Sequence, residues 1–508
     1  MSRWAHPVRI LAGPALFALL FVVPLPDLGL EGGTVVATRT CRAVLGLTAW
    51  MAVWWMTEAL PLAATSLLPL LVLPVAGVSP ARDVAGTYFD DTVALFLGGF
   101  LLALGMEKSG LHLRLAGRVL RLFGERPRRI VLGFLAASAL VSMWVSNSAT
   151  ALMLMPVAVS VAGAGRGPDP ARWAPPERNF AAACVLAVAF GASIGGVGTL
   201  VGTPPNMLLR RTWETLARGR GTPDLTFERW MAIGVPVVIV LVPLAWWILT
   251  RLAIPVPARL EAAAERREAD VDPGRVRFAE SVVLGTFLAT AFAWITHAPI
   301  EIGGRVLPFT GWDDAFRFGG SRSYVSDATI AIAAGLLLFV LPSREAVGDR
   351  VLTWDYVHAR LPWGSLLLFG GGFALAGAFR PSGLDAYLRA AFAGLHGVPP
   401  LLLTGVVVGG VAMASEVASN TAIAAMILPI LASVAVGAGM DPGPLLIAGT
   451  LGASAGYALP VATPPNTIAY GTGLVTVRQM GRAGVILDLV AIAVFTAAAT
   501  WIAPAVLQ

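Results

Sequence analysis

The chain has 508 residues, 56% hydrophobic and 13% charged, against about 25% charged in soluble domains. A mean hydropathy of +0.75, with apolar runs longer than a globular core needs, marks a polytopic membrane protein. It excludes a disordered chain, a nucleic-acid binder and a cytoplasmic enzyme. The net charge of +6 and pI near 9.9 say little about an anionic partner, because membrane proteins concentrate Arg in cytoplasmic loops. Cys41 and Cys184 have no partner spacing, and neither HExxH nor CxxC occurs, so no disulfide framework or metal cluster is indicated.

A bilayer crossing takes about 20 apolar residues. Candidate spans fall at 11–27, 43–59, 62–78, 92–106, 131–163, 181–209, 229–250, 280–297, 326–342, 363–378, 397–438, 442–475 and 483–505. The first, about Leu11 to Pro26, follows a short basic segment but is followed by no small-x-small cleavage site, so it reads as a retained helix. The runs 131–163, 397–438 and 442–475 are too long for one crossing and carry polar, Gly and Pro residues near their middles. They read as hairpins or interrupted helices. Treating 131–163 and 397–438 as re-entrant predicts an all-α protein of about eleven crossings, with its amino terminus inside and carboxyl terminus outside. The cluster Lys108, Arg114, Arg118, Arg121, Arg126, Arg128 and Arg129 then lies inside, on an interfacial helix facing lipid headgroups. The charged stretch Arg259–Glu280 reads as a surface loop joining two halves, and Glu58 as a capping residue near the membrane surface.

The chain repeats itself. LFLGGFLLALG at 95–105 matches LLFGGGFALAG at 367–377, SGLHLRLA at 109–116 matches SGLDAYLR at 382–389, and VSNSATALMLMP at 145–156 matches ASNTAIAAMILP at 418–429. All three pairs share an offset of 273 residues, and GTPPN at 202–206 matches ATPPN at 462–466 at an offset of 260. Four matches in one order indicate duplication. Counting crossings makes the copies inverted, a signature of secondary transporters whose site lies at the repeat interface near the midplane.

Ser146-Asn147-Ser148 and Ser419-Asn420-Thr421 sit mid-run in the two hairpin candidates. Small hydroxyl and amide residues cap helix ends there, and the freed backbone groups must be satisfied by protein, ion or ligand. Such a tip sets carbonyls of one half-helix, suited to a cation, beside amides of the next, suited to an anion. Pro204-Pro205 and Pro464-Pro465 interrupt their runs because proline cannot continue a helical ladder. No Arg or Lys lies near either tip in sequence, so an anion would be held by amides, hydroxyls and bound cations. Glu416, four residues before Asn420, reads either as an acceptor for hairpin donors or as an influence on ion binding or substrate protonation.

At these motifs the chain resembles the divalent anion/sodium symporter family of dicarboxylate, citrate and sulfate carriers. The pieces that carry the likeness are WWMTEALPL at 54–62, GLHLRLA at 110–116, the paired Ser-Asn tips and the paired Thr-Pro-Pro-Asn breaks. The resemblance implies one Na⁺ site at Ser142, Ser146, Asn147 and the Gly202 carbonyl, and a second at Ser415, the Ala418 carbonyl, Asn420 and the Ala462 carbonyl. It implies substrate contacts from Asn147, Ser148 and Thr203, and from Ser419, Asn420, Thr421, Thr463 and Pro464. It further implies a homodimer in the cytoplasmic (inner) membrane, in contact with lipid, with a fixed scaffold and a transport region that moves as an elevator. Na⁺ is the coupling ion, with no organic or redox cofactor.

On that basis 1–90 forms amino-terminal scaffold helices, 91–250 the first repeat, 251–280 a cytoplasmic linker, 281–362 further scaffold helices and 363–508 the second repeat with the carboxyl-terminal helix. One departure stands out: the first tip reads Ser-Asn-Ser where family members commonly have Ser-Asn-Thr, so Ser148 keeps the hydroxyl and loses a methyl. The sequence thus predicts sodium-coupled uptake of a small dianion such as succinate, malate or fumarate. Sulfate or another oxyanion, or dicarboxylate exchange, is the alternative. A channel or membrane enzyme fits less well, since no continuous polar pore or catalytic cluster is present.

Overall fold

A computed structural model describes residues 5–30, 33–124, 126–163, 172–217, 225–259, 276–297, 301–302, 305–306, 311–317, 324–344 and 348–507. Among these the chain is helical apart from two small antiparallel ribbons, Leu28–Leu30 with Gly33–Val35 and Glu301–Ile302 with Arg305–Val306. Six helices are long and apolar enough to cross a bilayer, or seven if the bent pair Trp354–Arg360 and Trp363–Ser382 (60°) is one span. Shorter apolar helices, among them Asn147–Gly163 and Pro400–Ser415, fill in between them.

The first helix, Ala5–Val22, carries Pro14 inside it. Proline has no N–H to give the carbonyl of Ile10 four residues earlier. Trp54 Nε1 on Arg39–Thr57 donates to that carbonyl at 3.0 Å, so the helix is completed by its neighbour. A Cβ at Gly13 would come within 2.3 Å of Trp50, so the two helices approach closely at that point. Glu58 ends Arg39–Thr57 as a left-handed cap (φ 48°), its N–H donating to the Trp54 carbonyl. The expected span at 62–78 is instead two short pieces, Leu62–Thr65 and Leu68–Val75, interrupted at Ser66 and Leu67. Tyr88 Oη donates to the Ser66 carbonyl exposed by that interruption, at 2.5 Å.

Helix boundaries recur between the two copies. Asp91–Ser109 and Trp363–Ser382 both end on a left-handed glycine, Gly110 (φ 78°) and Gly383 (φ 81°), which turns the chain directly into Leu111–Phe123 and Leu384–Ala391. Pro127–Ser142 and Pro400–Ser415 have 16 residues each and lie 273 apart at both ends. Phe227–Trp247 and Val477–Ala497 have 21 each, and both run on into a wider π-helical turn.

The inner helix Pro175–Gly196 is buried along nearly its whole length. It packs on Pro127–Ser142 through Gly191 and Gly195, where an added Cβ would meet the Leu135 and Ala139 carbonyls at 2.6 and 2.2 Å. Close backbone approach through small residues is how helices associate in lipid, where burial of apolar surface gives no drive.

Polar residues gather at opposite ends of the long helices. At the start of Asp91–Ser109, Asp90 caps the helix by accepting from the Thr92 and Val93 N–H groups and pairs with Arg211 (3.1 Å). Arg210 lies 3.1 Å from Asp327 and 3.1 Å from Glu214. At the other end Lys108 donates to the Arg350 carbonyl (3.0 Å) and Arg360 lies 3.5 Å from Glu107.

Two expectations are corrected here. Arg118 and Arg121 are exposed, but Arg114 is buried, its Nε 2.7 Å from Glu280 Oε2. Glu280 therefore belongs to no surface loop. It lies in the first turn of Phe278–Ile295, accepting from the Arg277 N–H at 3.1 Å. The rest of the expected linker falls largely on 260–275, outside the described residues.

Candidate functional site

Both expected tips are helix interruptions of one design. Pro127–Ser142 stops at the tip and Asn147–Gly163 starts there. Ser142 Oγ, fully buried, donates to Asn147 Oδ1 at 2.8 Å across the break. Ser146 Oγ accepts from the Ala149 N–H (3.4 Å), satisfying one of the free amides at the new helix start. In the second tip Ser415 Oγ lies 2.7 Å from Asn420 Oδ1 and 2.9 Å from the Ala453 carbonyl, so one proton serves two acceptors. Asn420–Gly437 begins at that asparagine. In both copies a buried serine fixes the rotamer of an asparagine five residues on.

The Pro-Pro motifs sit at the starts of Pro204–Ala217 and Pro464–Gly471, where a missing N–H costs nothing. The breaks therefore precede the prolines and span residues 197–203 and 454–463. Thr463 caps its helix by accepting from the Asn466 N–H at 3.4 Å, whereas in the first copy the Asn206 N–H goes to the Thr203 main-chain carbonyl at 3.2 Å. Gly196 lies against the first tip: a Cβ there would fall 2.3 Å from Asn147 Oδ1. Gly202 lies equally close to the Gly196 carbonyl, at 2.5 Å for an added Cβ.

The two copies interlock. Pro204–Ala217 packs on Asn420–Gly437, and Pro464–Gly471 packs on Asn147–Gly163 and Pro175–Gly196. Phe190 and Tyr457 meet edge-on at 5.5 Å between the copies. Of the expected ligands, Ser142, Gly202, Thr203, Ser415, Ala418, Ala462 and Thr463 are buried. The tip residues Ser146, Asn147, Ser148, Ser419, Asn420 and Thr421 are half-buried, and Pro464 is exposed. The buried set thus lies behind side chains that remain reachable. Neutral hydroxyl, amide and carbonyl oxygens suit a hard monovalent cation, and the adjoining helix starts suit a carboxylate or oxyanion.

Glu416 accepts from the Ala458 and Leu459 N–H groups at 2.9 and 2.8 Å and so ties the second tip to the second break. The acceptor reading of this residue is the one its geometry supports. Asp488, on Val477–Ala497, accepts from the Tyr457 N–H (3.3 Å) beside it. Sequence reasoning passed over Asp488, although a carboxylate inside an apolar run was signal enough. It also passed over Asn206 and Asn466, the last letters of a motif it had already paired.

The interlocked, twice-broken helical bundle is that of a membrane carrier. A profile of the sodium:sulfate symporter transmembrane region matches residues 5–507. The chain belongs to this family. The sodium-dependent dicarboxylate transporter SdcS of Staphylococcus saprophyticus is 37% identical over 98% of this chain and 92% of its own length. SdcS of Staphylococcus aureus is 35% identical over the same shares. Among solved structures, the Alcanivorax borkumensis YdaH transporter (TM-score 0.57, covering 98% of this chain and 97% of that one) shares the fold at 14% identity. Neisseria gonorrhoeae MtrF does so too (TM-score 0.58, 96% and 94%), also at 14% identity.

Proposed function

We propose that this chain is a sodium-coupled carrier of C4-dicarboxylates in the cytoplasmic membrane, working as a homodimeric elevator. The observation that carries the reading is the recurrence of one contact, Ser142 to Asn147 and Ser415 to Asn420, each set against a broken helix. The names of the relatives at 35–37% identity point the same way. Ser142, Ser146, Asn147 and the Gly202 carbonyl hold one Na⁺; Ser415, Asn420 and the Ala418 and Ala462 carbonyls hold the other. Asn147, Ser148 and Thr203 face the dianion from one side, and Ser419, Asn420, Thr421, Thr463 and Pro464 from the other. Two sodium ions beside a dianion leave little net charge to desolvate, which offsets the cost of carrying charge through a low-dielectric layer.

The equal offsets of the helix boundaries support a duplicated unit, read as inverted with re-entrant hairpins near 131–163 and 397–438. Eleven crossings outside the hairpins need Arg39–Thr57 and the shorter apolar helices, Leu62–Val75 among them, to cross beside the long ones. The interlocking of each second half-helix with the other copy supports motion of both sites as one body. The scaffold comprises 1–90 and 281–362, while the repeats at 91–250 and 363–508 carry the tips.

A second reading has two observations in its favour: Ser148 shortens the first tip, and the family description names sulfate. Labelled succinate uptake into proteoliposomes, with sulfate as competitor, separates the two. Sulfate-insensitive accumulation supports the dicarboxylate carrier, strong competition moves the substrate to an inorganic oxyanion, and uptake only after preloading with dicarboxylate makes it an exchanger.

A further inference from the structure

Asn206 and Asn466 are fully buried, and each uses both protons of its amide. Asn206 Nδ2 donates to the carbonyls of Gly196 (3.0 Å) and Thr199 (2.7 Å). Asn466 Nδ2 donates to those of Gly456 (3.1 Å) and Leu459 (3.0 Å). In both copies the acceptors lie ten and seven residues earlier. Thr199, Gly456 and Leu459 lie in the broken segments and Gly196 ends the helix before the first of them, so their carbonyls lack a helical partner four residues on. At membrane depth such carbonyls need an internal donor. The Thr199 and Leu459 carbonyls also accept from the Gly202 N–H (3.4 Å) and the Ala462 N–H (3.2 Å), and one side-chain amide joins each of them to the Gly196 or Gly456 carbonyl.

The glycine whose carbonyl is held first in each copy lies against the expected ion ligands. Gly196 lies against Asn147 Oδ1 and Gly202: an added Cβ at Gly196 would be 2.3 Å from the asparagine oxygen, and one at Gly202 2.5 Å from the Gly196 carbonyl. Gly456 lies against Ser415 and Ala462: an added Cβ would be 3.5 Å from the Ser415 carbonyl and 3.5 Å from Ala462 Cβ. We propose that Asn206 and Asn466 are positioning residues for the two sodium sites, each clamping its broken segment so that the Gly202 and Ala462 carbonyls stay aimed at the ion. The assignment rests on the sodium reading above. Neither Oδ1 has a hydrogen-bond partner among the described residues, so the two N–H donations alone orient each amide. Replacing the NH₂ with oxygen would set it against two carbonyl oxygens at unchanged volume.

The test is the sodium dependence of succinate uptake by purified protein in proteoliposomes, for wild type, Asn206→Asp and Asn466→Asp. Sodium-induced thermal stabilisation of the same samples in detergent gives a readout independent of transport. The Asp variants are expected to raise half-saturating sodium at least tenfold while the succinate KM at saturating sodium stays within twofold. Asn206→Ser and Asn466→Ser, which keep one hydroxyl donor, should show a smaller rise, and they carry the test if an Asp variant does not fold. A merely structural role would lower the maximal rate and leave half-saturating sodium unmoved, and that result overturns the assignment alone. A wild type with no sodium dependence in either assay overturns the sodium reading and this assignment with it.

Discussion

Glu416 accepts the Leu459 N–H at 2.8 Å, while at the equivalent positions of the first copy Thr199 Oγ1 donates to the Met143 carbonyl. Tip and break are tied at the same two positions in both copies, the break donating and the tip accepting, with side chain and main chain exchanging roles. Glu416→Ala should therefore loosen only the second break. Hydrogen exchange at 456–459 is expected to speed up about tenfold or more, in line with roughly 1.5–3 kcal/mol for a hydrogen bond to a charged group. Exchange at 196–203 should stay as in wild type. Equal change at both breaks would contradict an independent tie.

Gly196→Ala places a methyl 2.3 Å from Asn147 Oδ1, inside any tolerable contact. The asparagine must move, and its contact with Ser142 is expected to break. Sodium-dependent uptake should fall by more than tenfold while gel filtration shows intact protein. Uptake close to wild type would mean that Asn147 is not held where the first site needs it.

Arg210 is 8% exposed and Asp327 5%, with Arg210 Nη1 3.1 Å from the carboxylate as an ion pair. Removing one member of a buried pair costs about 3–5 kcal/mol, because the other charge is left uncompensated. Arg210→Met should lower the melting temperature in detergent, and the double variant Arg210→Met with Asp327→Asn should recover part of the loss. A single variant as stable as wild type would contradict a net stabilising role for the pair.

The Trp54 donation to the Ile10 carbonyl exists because Pro14 cannot make it. Trp54→Phe is expected to cost about 1 kcal/mol in the native background. In a Pro14→Ala background, where the backbone supplies its own donor, the same change should cost measurably less. Equal costs in the two backgrounds, measured as a double-mutant cycle, would show that the two residues act independently.

The broken helices were legible in the sequence because their causes are local. Ser-Asn and Pro-Pro stop or start a helix wherever they occur, and each motif appeared twice at a fixed offset. Arg114 shows the limit. It shares a helical face with Arg118 and Arg121 at i+4 and i+7, so spacing alone sends all three to the headgroups. What withdraws Arg114 is Glu280, 166 residues away in the chain, and no local pattern encodes that pairing. The run at 62–78 shows a related limit: its hydropathy is continuous, yet the helix is interrupted at Ser66 and Leu67, just before Pro69 in the first turn of Leu68–Val75. The candidate ligands could be read from the motifs. The amides of Asn206 and Asn466 that bridge the breaks needed the carbonyl positions, which only the folded breaks provide.

The most direct test is accumulation of labelled succinate in proteoliposomes under an inward Na⁺ gradient, for wild type, Asn147→Ala and Asn420→Ala. The account predicts gradient-driven accumulation by wild type and its loss in both variants, each still a folded dimer. Accumulation that needs no sodium, or wild-type uptake by either variant, would contradict it.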